Sequence, residues 1–156
     1  MDEIVVRWGN LEDKGEISYI LNLNSIPARD VLEKAFIVAE ERGEILMVGS
    51  YLIVRERLVL GPLLVDPWVG KRRFAVALYS GAGKLAREMG LREVWAKCDE
   101  HREYLLEAGY SRHVGEWRLD TTRSFGNHER LPERGLRRVL SLWSTDHIPF
   151  FRAFRA

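Results

Sequence analysis

The chain has one cysteine in 156 residues, Cys98, so it closes no disulfide of its own, and a reducing compartment is the expectation. Long apolar runs are missing. None approaches the roughly 20 residues of a membrane span. The N-terminal MDEIVVRWGN is acidic and breaks its apolar run at Arg7, which does not read as a secretory signal. A cytoplasmic chain with no membrane segment is therefore expected. Net charge is nearly absent too. The 24 Lys and Arg against 23 Asp and Glu leave +1, too little to gather a polyanion by global field. The four histidines, at 101, 113, 128 and 147, lack metal-ligand spacing such as H-x-x-x-H, so no metal is expected. There is no internal repeat and no low-complexity segment.

What is present suits one globular domain: 46% hydrophobic and 30% charged residues, on a length that buries a core without staples. The charge is uneven. Residues 121–156 hold seven Arg against Glu129, Glu133 and Asp146, a net of +4, which leaves 17 positive and 20 negative groups before them, a net of −3. The organisation expected is a domain over 1–120 and a basic, aromatic extension over 121–156.

Hydrophobic periodicity places the elements. EIVVRW (3–8) reads as a β-branched strand and 11–24 as a helix, with Ile17, Ile20 and Leu21 on one face. Ser25 and Pro27 suit the start of a second helix, ARDVLEKA. FIVAEE (36–41) reads as a strand, with Arg42-Gly43 as a turn. EILMVGSYLIV (44–54) is apolar on both alternating faces, with Ile45, Met47, Tyr51 and Ile53 pointing one way and Leu46, Val48, Leu52 and Val54 the other. Such a strand lies centrally under helices on both sides. LVLGPLLV (58–65) is another buried strand. The long helix at 72–89 carries the stripe Phe74, Leu78, Gly81, Leu85 and Met89, and Gly90 stops it. A strand at 92–98, a short helix at 100–109 and a strand or hairpin at 110–119 follow. The fold class is thus mixed α/β (α+β), in the order β-α-α-β-β-β-α-β-α-β.

GAGK (81–84) hints at a nucleotide-binding loop, but G-x-x-x-x-G-K-[ST] needs Gly at 78 and Ser or Thr at 85, and both are Leu. The small residues at 80–83 read instead as a close approach of helix to sheet.

The order of these pieces resembles the GCN5-related N-acetyltransferase (GNAT) superfamily over about residues 3–119. FIVAEERGEI is similar to the family's hairpin between its second and third strands. LGPLLVDP is similar to its fourth strand, AREMGLREVW to the junction of its main helix with its fifth strand, and YLLEAGY to its FYEKLGF segment. The resemblance implies a mixed, mostly antiparallel central sheet with helices on both faces. It also implies acetyl-CoA as cosubstrate and an amine acceptor that no motif identifies. The family's Q/R-x-x-G-x-G/A motif holds the coenzyme A pyrophosphate on backbone N–H groups at a helix N-terminus. Here it falls on Gly70, Lys71, Arg72, Arg73, Phe74 and Ala75. Ala75 fits, Gly70 replaces Gln or Arg, and Arg73 replaces a glycine. Two readings stay open for the basic turn. Its side chains add charge-assisted bonds to phosphate, or Arg73 fills the phosphate space and the turn is plain solvated surface.

The resemblance further places backbone groups of Leu63, Leu64 and Val65 at the acyl carbonyl and the pantetheine arm, with Leu64 in the catalytic set. The family's proton-donating tyrosine falls on Leu105. Tyr104 lies one residue earlier and about 100° around the helix, so it reads as a packing residue or a displaced donor. Cys98, ending the fifth strand, reads as a small buried hydrophobe or as a covalent acyl carrier. Glu56, Asp66 and Asp99 stand near strand ends as solvated carboxylates or a base. The function expected is acetyl transfer to an amine by direct attack in a ternary complex. The alternative is a degenerate relative serving as an acyl-CoA sensor or an assembly module.

In the extension, Leu136, Val139, Leu140 and Trp143 form an amphipathic stripe and Phe150, Phe151 and Phe154 follow it. A helix packing on the domain, or on a second copy as a homodimer, is expected there. Nucleic acid is not an expected partner, since no recognised binding motif accompanies the arginines.

Overall fold

The computed structural model describes residues 3–27 and 34–122. Its strands are β1 (Ile4–Trp8), β2 (Ala35–Glu41), β3 (Glu44–Val54), β4 (Arg57–Val65), β5 (Glu93–Ala96), β6 (Ser111–His113) and β7 (Glu116–Asp120). They form one sheet in the order β1-β2-β3-β4-β5-β7-β6. Every pairing is antiparallel except β4 with β5. That parallel pair needs a crossover, and the long helix α2 (Lys71–Glu88) supplies it. Among the described residues the other α-helices are α1 (Lys14–Leu23) and α3 (Arg102–Glu107).

The expected helices on both faces are found. Phe74, Leu78, Tyr79, Ala82 and Leu85 of α2, with Leu105 of α3, pack on one face against Met47, Tyr51, Leu58, Leu60 and Val94. Ile17, Ile20 and Leu21 of α1 pack on the other against Phe36, Val38, Ile45 and Val48. Ile45 departs from the expected alternation. It joins the α1 face with Val48, whereas Met47 faces α2. The cause is a bulge: Ala39 pairs with Met47 but Glu40 with Ile45, so Leu46 is an extra residue and reverses the sides beyond it. The 110–119 stretch is a hairpin, β6–β7, turned at Val114-Gly115 with Gly115 at φ 76. The strand expected at 92–98 is shorter, Glu93–Ala96. Ala35, read as helix end, begins β2. The rest of the second helix (28–33) and the extension from 123 onward, with the pairing expected through it, lie outside the described residues.

The small residues of α2 do bring it close to the sheet. A Cβ on Gly81 would fall 2.4 Å from the Cβ of Val6, and one on Gly83 would fall 2.5 Å from Cδ2 of Leu119. The two sites differ in what has to yield. The Val6 Cβ is fixed to the β1 backbone, whereas the Leu119 methyl is the far end of a flexible side chain. Overpacking costs about 1–3 kcal/mol, and replacing a helical glycine by alanine returns up to about 1 kcal/mol. Gly81→Ala should therefore lower stability by about 1–2 kcal/mol, while Gly83→Ala should be neutral or stabilising. Thermal melts of the two variants check this, and equal midpoints would contradict it.

At the start of the fold, Arg7 of β1 forks onto Asp13 at 2.6 and 2.8 Å and reaches Glu40 of β2 at 3.1 Å. Asp13 also accepts from the Asn10 amide at 2.8 Å, closing a capping box before α1. Burial pushes the Asp13 carboxyl up, but the Arg7 fork, the Asn10 amide and the nearby positive charge outweigh it and hold the group below its ordinary value.

Candidate active site

The feature that organises the site is where β4 and β5 stop pairing. Their partners run from Arg57↔Glu93 to Leu60↔Ala96. Beyond Leu60, β4 continues for five residues, Gly61–Val65, and among the described residues no strand meets them on the β5 side. At about 3.3 Å per residue this leaves an open edge of roughly 17 Å.

Register decides which backbone groups face that gap. The Asp66 amide donates to the Leu46 carbonyl at 2.9 Å, so Met47↔Val65 is a widely spaced pair. Alternation then makes Val48↔Leu64 the closely bonded pair and Gly49↔Leu63 another wide one. Leu64, expected to serve the site through its backbone, thus spends its amide and carbonyl on β3, and its side chain packs on the α1 face. Leu63 and Val65 are the residues whose backbone N–H and C=O face the gap. The Val65 carbonyl already accepts from the Asn24 side chain at 3.2 Å, a partner at the end of α1 that its place in the sequence does not announce. Just before these residues β4 bulges: Gly49 pairs with Leu63 but Tyr51 with Leu60, so Gly61 and Pro62 together oppose Ser50. A Cβ on Gly61 would fall 2.2 Å from Ser50 Oγ, and Pro62 brings no N–H to waste on the bulge.

The open edge leads into α2 through a tight turn. Trp68 donates its amide to Asp66 Oδ1 at 3.0 Å and Val69 donates to the Asp66 carbonyl at 3.1 Å. Gly70 is the N-cap and supplies no capping side chain, no acid lies in the first turn, and a Cβ on Gly70 would meet nothing within 4 Å. The first amides of a helix lack intrahelical acceptors, so this 18-residue helix presents donors and the positive end of its dipole beside the gap. Phe74 and Ala75 are buried beneath.

The three basic residues diverge. Lys71 is exposed. Arg72 pairs with Glu107 of α3 at 3.0 Å. Arg73 forks onto Glu41, the last residue of β2, at 2.8 and 3.1 Å, and this contact holds the Glu41 carboxyl below its ordinary value.

Across the gap from β4, Cys98 is half-buried and opens the turn that leads to α3. Leu105, at the place of the expected tyrosine, is fully buried in the core. Tyr104 is half-buried against the same core, with its ring 5.3 Å from His101. His101, unremarkable in the sequence, is buried, and its Nδ1 shares a 2.7 Å hydrogen bond with the Tyr79 hydroxyl of α2. Burial and then the Lys71 charge lower the His101 pKa, while burial and then Cys98 raise that of Tyr79, so the couple is neutral at pH 7. Of the carboxylates, Glu56 sits at the wrong end of β4, where it pairs with Arg92 at 3.2 Å. Asp66 caps the turn, and Asp99 accepts from Trp117 at 3.3 Å. Among the described residues no His, Cys, Asp and Glu grouping is set to hold a metal, and no helix is long and apolar enough to cross a membrane.

No protein-family model and no curated protein sequence matches the chain. Solved structures do. The ribosomal-protein-S18-alanine N-acetyltransferase from Escherichia coli superposes with a TM-score of 0.61 at 11% identity, over 82% of this chain and 100% of that one. The PaiA N-acetyltransferase from Thermoplasma acidophilum, solved with coenzyme A, gives 0.57 at 12% identity, over 76% and 99%. A GNAT family acetyltransferase from Brucella melitensis, solved with acetyl-CoA, gives 0.55 at 16% identity, over 83% and 93%. At such identities the likeness is one of fold.

Proposed function

We propose that this chain, which has the fold of the GNAT acetyltransferases, moves an acetyl group from acetyl-CoA to an amine by direct attack in a ternary complex. One observation carries the reading: the edge of β4 over Gly61–Val65, which no strand meets on the β5 side among the described residues, runs directly into the first turn of α2, whose N-cap Gly70 brings no capping side chain. A pantetheine arm is an extended chain bearing amides, and it suits a strand edge as an added strand does. A diphosphate suits the helix start at the end of that edge.

In this reading the amides of Leu63 and Val65 hold the arm and meet the oxygen that gains charge as the amine attacks the thioester carbonyl. The C–N bond forms, the C–S bond breaks, the amine gives up a proton, and the thiolate leaves or takes one. The attacking amine must be neutral, and a lysine-like amine titrates near 10.4 unperturbed, so a proton acceptor or a weakly basic acceptor amine is required. Cys98 flanks the same gap, and trapping of an acetylated Cys98 would replace direct attack by a two-step route.

Calorimetric titration with acetyl-CoA tests the reading, followed by thiol release on a panel of amines. Binding in the micromolar range with amine-dependent release is expected. The absence of binding at millimolar concentration would end it. The fully buried Leu105 favours a second reading, an acyl-CoA sensor without turnover, which binding without thiol release would support.

A further inference from the structure

The Arg73–Glu41 pair has a geometry that bears on this same site, and the inference rests on the acetyl-CoA reading. Arg73 is the third residue of α2. Side chains on a helix lean toward its N-terminus, so a guanidinium at this position arches over the first-turn amides. Glu41 engages it with both carboxylate oxygens, at 2.8 and 3.1 Å. β2 lies two strands from β4, on the side away from β5, so the fork draws the guanidinium to the far side of β4 from the gap.

Two electrostatic facts give this pair a preferred state with and without ligand. A cation above the positive end of a helix is disfavoured, and Glu41 relieves that. A diphosphate at the same helix end reverses the balance, because guanidinium binds phosphate oxygens in a fork as it binds a carboxylate. The Arg73 side chain is 40% exposed and that of Glu41 17% exposed, so the guanidinium end of the pair is open to an arriving anion. We propose that Arg73 is an exchangeable ligand of the cofactor's diphosphate and that Glu41 is its positioning residue, holding the guanidinium aside until the diphosphate arrives and competing with it afterwards.

Calorimetric titration of coenzyme A into the wild-type chain, Arg73→Ala, Glu41→Gln and the double variant tests this at low salt. Both side chains are at the surface, and circular dichroism confirms that each variant is folded. Losing a charge-assisted bond to phosphate should weaken Arg73→Ala about tenfold. Glu41→Gln should bind more tightly than wild type, by about three- to tenfold, since the competitor is gone. The double variant should match Arg73→Ala, because Glu41 acts only through Arg73. Repeating the series with 3′-dephospho-CoA, which keeps the diphosphate, should preserve all three relations. Weaker binding by Glu41→Gln together with tighter binding by Arg73→Ala would overturn the proposal and make Arg73 an obstruction that Glu41 restrains. A Glu41→Gln effect that persists without Arg73, or that vanishes with 3′-dephospho-CoA, would overturn it too. Wild-type chain that binds no coenzyme A would instead remove the parent reading.

Discussion

Under the proposed acetyl transfer, Val65→Pro should lower kcat/KM for acetyl-CoA by about 10²–10³-fold while the fold survives, the largest functional effect expected from a single residue. The contrast with its neighbour makes the expectation specific. Val65 stands in a wide pair with Met47, so its N–H makes no rung to β3 and points into the gap. Proline removes that donor and asks only that residue 64 be extended, which it already is within β4. Leu64→Pro deletes an amide that does bond β3, and it should destabilise the fold well beyond Val65→Pro. The pair of variants separates a catalytic amide from a structural one. Melting curves and initial rates on the same preparations read both. If Val65→Pro folds and turns over normally, that amide has no part in the reaction.

The second large effect concerns stability and pH. Arg7→Ala strips the cation from Asp13, whose side chain is 9% exposed, and from Glu40, whose side chain is 20% exposed. Removing one partner of a buried pair costs about 3–5 kcal/mol, and Arg7 itself is 31% exposed, so about 2–3 kcal/mol is the expected loss at pH 7. In a domain of this size that is a fall of roughly 10 °C in melting midpoint. The loss should shrink in acid. Asp13 titrates below its unfolded value, so its contribution is complete above the unfolded carboxylate range near 3.9 and drains away as pH falls through the lower folded value. Wild type should thus lose stability below about pH 4 while Arg7→Ala loses less, and the two midpoints should converge. Melts at pH 7 and pH 3 measure this, and a constant difference between them would contradict the assignment.

What the sequence made legible here follows local chemistry. The stripe of α2, its close-packing small residues and the order of the strands all come from short-range patterns, and they stand in the structure. The resemblance pointed to the end of β4 and the turn after VDP, but the gap beside them is a matter of strand pairing that no local pattern announces. What escaped depended on one residue of phase or on long separations. The bulge at Leu46 reversed the side of Ile45, a shift that alternation cannot signal. The same parity problem put Leu64 at the gap when the ladder assigns Leu63 and Val65. The partners of Arg73 and Tyr79 lie 32 and 22 residues away, and nothing in a local window pairs Glu41 or His101 with them.

The brevity of the one parallel pairing has a mechanical consequence. A leaf of β1 to β4 and a leaf of β5 to β7 are sewn along a seam four residue pairs long, with α2 laid across both. Within each leaf the pairing is antiparallel, and the seam is the one join made by a parallel ladder, which is slightly less stable per residue. A guest that adds its own amides to β4 lengthens the stitching and stiffens the joint. Grip and rigidity therefore rise together, and a guest that bridges the two leaves is held by the structure it completes.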